Sequence, residues 1–233
     1  MLPGDVLLVT GEGKLSSLLI AAQKLIYPKA SSSHVEFSLG DGIFIHSTQD
    51  KGVHLTLLVD EDEACGHKWR VIRHKSITEL CSGTKDLTKA AVFFYGQDYN
   101  KDFLGSGNES SSFCSELVAK AYARAEIEVF GRKSPSKVKP AHFDQEADNL
   151  KDWVDVTYEY QTALADMKKN ISILRMAAET LNVAMTRRKA NEPFRQKIIG
   201  HLEGGSPEGK NAAKKFREML NKRELKFWHE KDS

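Results

Sequence analysis

Three side chains in this 233-residue sequence have the types that nucleophilic acyl chemistry needs: Cys114, His34 and His46. Cys114 stands where a glycine- and serine-rich stretch, 105–112, turns into an apolar-periodic run. Phe113, Leu117, Ala121 and Tyr122 mark one face of that run, which predicts a helix with Cys114 in its first turn. Helix N-termini carry unsatisfied N–H groups and roughly half a positive charge, which favours a thiolate over a thiol. A small buried hydrophobe in the same place is the competing reading, and position alone does not separate the two.

The histidines upstream tip the balance. They lie in Ser31-Ser-Ser-His-Val-Glu-Phe-Ser-Leu-Gly-Asp-Gly-Ile-Phe-Ile-His-Ser-Thr48, which reads as a β-hairpin. The first strand runs from about His34 to Leu39, the turn is Gly40-Asp41-Gly42, and the return strand runs from Ile43 to Ser47. Alternation sets His34, Glu36 and Ser38 on one face and Val35, Phe37 and Leu39 on the other. Phe44 and His46 share a face of the return strand. Two histidines on paired strands can lie side by side, one orienting the other. A general base needs that arrangement, with one imidazole nitrogen towards the thiol and the other held by an acceptor.

Pro3-Gly-Asp-Val-Leu-Leu-Val9, Ser33-His-Val35, and Phe113-Cys-Ser-Glu-Leu-Val118 followed by Ala121-Tyr122 resemble the NlpC-type cysteine hydrolases. Tyr95-Gly-Gln-Asp-Tyr-Asn100 with Phe103 is similar to that group's approach to its cysteine. Within the group, the chain resembles the circularly permuted papain-like branch of YiiX-like and lecithin retinol acyltransferase-like proteins. There the histidine strand precedes the cysteine helix, as it does here. The resemblance covers about residues 1–160. It implies Cys114 as nucleophile, His34 as general base and His46 as the orienting third residue. The third place is often a carboxylate in YiiX-like members and a second histidine in acyltransferase-like ones, so His46 leans towards the latter. Glu36 competes for the orienting role, because it shares the His34 face two residues on. Asp5 reads as part of a tight turn rather than as a catalytic group.

The resemblance and the element pattern together lead us to expect an α+β fold. It would be a permuted papain-like unit over 1–160 with a central antiparallel sheet, followed by a helical extension over 161–233. Val53–Val59, Trp69–Arg73 and Trp153–Tyr160 read as further strands, and 84–95 as a helix. Asp60-Glu-Asp-Glu63 reads as a solvated acidic turn. Beyond Thr162, Leu164, Met167, Ile171, Leu174, Ala178, Leu181 and Met185 recur at spacings of three and four, predicting one long helix up to Pro193. A short segment to Leu202 and a final helix from Ala212 to Phe227 follow. The extension carries 16 Lys and Arg against 9 Asp and Glu, leaving 18 against 23 for residues 1–160. Such a basic tail suits packing on the catalytic unit, a protein partner, or contact with a membrane surface. No aromatic-interleaved basic motif points to nucleic acid.

Apolar content of 40% fits a globular chain. No apolar stretch approaches the roughly 18 to 20 residues that span a bilayer. No secretory signal is visible, so a cytoplasmic location is expected, with export by a dedicated secretion system as a route outward. Three scattered cysteines, Cys65, Cys81 and Cys114, make no disulfide framework. Cys65-Gly-His67 lacks a second pair of zinc ligands, and no metal or organic cofactor is expected. The expected activity is a thiol hydrolase or acyltransferase forming an acyl-thioester. Its substrate would be an acyl lipid or, alternatively, a peptidoglycan-type or other peptide amide. A non-catalytic binding module working through the helical tail is the remaining reading.

Overall fold

Alternating apolar residues along the N-terminal half build an antiparallel sheet. The computed structural model describes residues 1–79, 84–102, 107–131 and 133–230; Cys81 and Phe103 lie outside them. The strands are β1 (Val6–Val9), β2 (His34–Gly40), β3 (Ile43–Thr48), β4 (Gly52–Leu57) and β5 (Trp69–His74), with a late β8 (Trp153–Asp155). They lie in the order β4-β3-β2-β1-β5-β8. Two short strands, β6 (Asp98–Tyr99) and β7 (Ser111–Ser112), pair in parallel and lead into the cysteine helix. The helices are α1 (Lys14–Gln23), α2 (Leu58–Ala64), α3 (Lys75–Glu79), α4 (Thr84–Val92), α5 (Cys114–Arg124) and α6 (Pro140–Asn149). The C-terminal set is α7 (Thr157–Lys169), α8 (Ile171–Ala190), α9 (Glu192–Glu203) and α10 (Pro207–Asn221). The fold is α+β with a C-terminal helical region.

The sheet is buried on both faces. Val35, Phe37, Ile45 and Leu55 pack against Leu117, Val118, Ala121 and Tyr122 of α5. Leu7, Phe44 and Val71 pack on the other face against Leu58 and Val59 of α2 and Tyr160 and Met167 of α7. The β2–β3 turn needs glycine at position 42. Its φ is +76°, and a Cβ there would stand 1.9 Å from the terminal methyl of Met167.

Several expectations are corrected. β4 ends at Leu57, because Leu58 and Val59 are buried as the start of α2. The acidic run 60–63 is therefore helical, with Asp60 and Glu61 in a first turn, where the helix dipole favours carboxylates. The strand expected to reach Tyr160 stops at Asp155, whose carboxylate accepts the Thr157 N–H at 2.9 Å and starts α7. The long helix is broken at Asn170, whose side chain bonds back to the Asp166 carbonyl. Phe227 lies beyond α10, 1% exposed in the main core.

The helical extension is seated on the sheet. Met185 belongs to the main core, Tyr95 Oη meets Asn182 on α8, and Lys189 reaches the Gly96 carbonyl. Asp5 is fully buried and takes the Arg73 guanidinium at 2.7 and 2.9 Å and the Tyr160 hydroxyl at 2.6 Å. It ties β1 to β5 and α7. Among the described residues no helix is long and apolar enough to cross a membrane.

Candidate active site

Cys114 is the first residue of α5, as the spacing predicts. The helix start is held from several sides. Glu116, fully buried, accepts the Phe113 N–H at 3.3 Å and the Asn100 amide at 2.9 Å. Ser115 Oγ donates to the Val138 carbonyl, and Ser47 Oγ of β3 donates to the Ser112 carbonyl at 2.6 Å. The glutamate of the Cys-Ser-Glu-Leu run is thus a helix cap. Cys114 itself is 8% exposed. Its sulfur faces the backbone N–H groups of Val35 and Ser115 as well as its own.

The histidines gather around β2, β3 and β4. His34 Nε2 lies 3.1 Å from His46 Nδ1, and that same nitrogen lies 3.1 Å from Glu36 Oε1. His46 and His54 are register partners across β3 and β4, and their Nε2 atoms stand 2.9 Å apart. His54 Nδ1 is 3.0 Å from the Gly52 carbonyl oxygen. Glu61 approaches from α2, with Oε1 3.9 Å from His46 Nδ1 and bonded to Thr56 Oγ1 at 2.8 Å. Glu36 is fully buried; its Oε2 meets no N–H or hydroxyl donor among the described residues, and its carboxyl pairs with that of Glu61.

Burial sets the electrostatics. It drives His34 well below the ordinary imidazole value, with His46 and His54 adding to the effect. It lowers His46 and His54 to about 4 each. It raises Glu36 to about 8, and it raises Glu61, which Glu36 pushes further. Three neutral imidazoles and protonated carboxyls are the form that a low-dielectric pocket favours. Burial also pushes the Cys114 thiol up to about 11, against the pull of the three N–H groups. The low thiol pKa expected from the helix terminus is therefore corrected. Desolvation outweighs the dipole once the sulfur is buried.

The structure brings His34, His46 and Glu36 together, as the hairpin predicts. Cys114 sits against the N–H of Val35, the residue after His34, and among the described residues no hydrogen bond joins it to an imidazole. The sequence reading missed His54 and Glu61. Extending the alternation through the 48–52 turn would have set His54 beside His46. Glu61 had no comparable signal while its segment read as a loop.

No family model matches the chain, and no curated protein matches it. Among solved structures, the chain is similar to the crystal structure of the metalloprotein yiiX from Escherichia coli O157:H7. The two share 21% identity with a TM-score of 0.42, over 53% of this chain and 66% of that one, just under two thirds of its length.

Proposed function

We propose that the protein is a thiol hydrolase or acyltransferase. Cys114 would be the nucleophile, His34 the base and His46 the orienting residue, with an acyl ester or amide such as a lipid as substrate. The observation that supports this reading is the chain of ring-nitrogen contacts from the Gly52 carbonyl through His54 and His46 to His34, which fits one proton order. The Gly52 carbonyl can only accept, so His54 carries its proton on Nδ1. His54 Nε2 then holds a lone pair and accepts from His46 Nε2–H. That leaves His46 Nδ1 as an acceptor for His34 Nε2–H. A neutral His34 protonated on Nε2 keeps the lone pair on Nδ1, as a general base requires. Glu36, kept in its acid form by burial, opposes no carboxylate to the His46 lone pair, and its acid O–H is a second donor within reach of that nitrogen.

In the proposed reaction His34, with Nε2–H held by His46, takes the S–H proton on Nδ1 as sulfur attacks the acyl carbon. Catalytic hydrogen bonds of this kind often tighten only with substrate in place. The oxyanion meets N–H groups at the start of α5. His34 then gives the proton to the leaving group, and water, an amine or an alcohol resolves the acyl-thioester. Turnover of phospholipid esters and of short peptide amides tests the reading. The expected result is turnover by the wild type and a loss of about 1,000-fold or more in both Cys114→Ser and His34→Ala. Full turnover by Cys114→Ser contradicts it. Cleavage of peptide amides alone would keep the mechanism and transfer the substrate to that class.

A further inference from the structure

We propose that His34, Glu36 and His46 form a binding site for a divalent transition-metal cation of the zinc type, a departure from the sequence-based expectation of no metal. The cluster offers two imidazole nitrogens and a carboxylate oxygen within 4.8 Å of one another. The edges of the triangle are 3.1 Å from His34 Nε2 to His46 Nδ1, 3.1 Å from His46 Nδ1 to Glu36 Oε1, and 3.6 Å from His34 Nε2 to Glu36 Oε1. Three ligands at about 2.05 Å around a tetrahedral zinc stand about 3.3 Å apart, so these edges bracket the required spacing. Two imidazoles with one carboxylate select zinc-like cations over magnesium or calcium.

Two features outside the triangle point to the same use. Glu36 Oε2 is fully buried and meets no N–H or hydroxyl donor among the described residues, and its polar neighbour is the Glu61 carboxyl, an acid pair that a cation can replace. His54, fixed by the Gly52 carbonyl, accepts the His46 Nε2 proton and so presents His46 Nδ1 as a lone pair towards the centre. Metal-bound histidines are oriented in this way by their outer partners. Glu61, bonded to Thr56, stands at the rim as a further carboxylate. The cation and the His34 Nε2 proton compete for one position, so the site holds one or the other.

The proposal shares His34 and His46 with the thiol reading, so the cation-bound form is not the acyl-transfer form, but Cys114 supplies no ligand and zinc binding can be tested without it. The test is calorimetric titration of the metal-free protein with ZnCl2, run on wild type and on Cys114→Ser. The expected result is one equivalent bound by both proteins with the same affinity, and no heat with MgCl2. Glu36→Gln, which keeps the side-chain shape, is expected to weaken zinc at least tenfold. His67→Ala, on an exposed histidine outside the cluster, leaves it unchanged. Circular dichroism establishes that Glu36→Gln is folded; should it not be, His34→Gln carries the same expectation from a partly exposed strand end. Absence of zinc binding, binding unchanged in the folded ligand variant, or binding that depends on Cys114 each overturns the proposal. Loss of thiol activity in Cys114→Ser with zinc binding intact separates this site from the catalytic reading.

Discussion

His46 and His54 face each other Nε2 to Nε2 at 2.9 Å, so the shared position holds one proton and one lone pair. The Gly52 carbonyl decides which residue has which, because it demands the proton on His54 Nδ1. The tautomer of His46 is thereby set from the backbone of the β3–β4 turn, and its Nδ1 lone pair faces His34 Nε2.

That relationship predicts an effect for a residue remote from the thiol. His54→Phe keeps a ring against His46 but removes the acceptor, and His46 loses its fixed tautomer. We expect kcat to fall about 10- to 100-fold with KM little changed, the range typical of lost outer-sphere orientation. Steady-state kinetics on the preferred acyl substrate, with His54→Gln as the variant that regains part of the loss, would measure it. An unchanged kcat removes His54 from the mechanism.

Cys114 and His34 are both neutral at rest, since burial raises the thiol to about 11 and lowers the imidazole. In the proposed reaction the proton would therefore move during attack rather than before it. Alkylation of Cys114 by iodoacetamide, followed by peptide mass, is expected to be slow at pH 7 and to climb about tenfold per pH unit towards pH 11. Fast labelling that is flat from pH 5 to 9 would instead reveal a standing thiolate–imidazolium pair.

Glu36 makes the metal-free protein weaker in alkali. Its folded pKa, about 8, lies above the ordinary 4.5. The folded state therefore holds the proton more tightly. That contribution to stability is complete below about pH 4.5 and is lost as pH rises through about 8. Glu61 acts in the same direction, while His46, lowered to about 4, loses stability only as pH falls below about 6.5. Between pH 7 and 9 we expect Tm to drop by about 3 °C. A smaller drop is expected in Glu36→Gln, which carries no charge to bury, and identical profiles for the two proteins would count against a protonated Glu36.

Asp5 belongs to the scaffold. Asp5→Ala leaves the Arg73 guanidinium largely buried with Glu159 as its one charged partner among the described residues, and strips Tyr160 of its shortest hydrogen bond. Breaking a buried pair from one side costs about 3–5 kcal/mol. Urea unfolding would register it as a lower midpoint at unchanged slope, while a shift under about 1 kcal/mol would mean that the pair is dispensable.

Much of this site is legible in the sequence because period-two alternation and a glycine turn fix a hairpin locally. His34, Glu36 and His46 come together for that reason, and the Cys114 helix starts where its apolar face begins. What escapes depends on tertiary burial. The 60–63 run looks like solvent-exposed acid until Leu58 and Val59 dock and carry Glu61 to the histidines. Thr157–Tyr160 alternates like a strand, yet the Asp155 carboxylate on the Thr157 N–H and the buried Tyr160 hydroxyl make it a helix. The thiol pKa follows desolvation, which no local pattern encodes.

The central claim is a covalent acyl group on Cys114, and intact-protein mass after incubation with an acyl phospholipid tests it most directly. The account predicts a hydroxylamine-sensitive mass increase of one acyl chain on the wild type, absent from Cys114→Ser and strongly reduced in His34→Ala. Turnover of the lipid with no adduct on trapping, or the same adduct on Cys114→Ser, would contradict it.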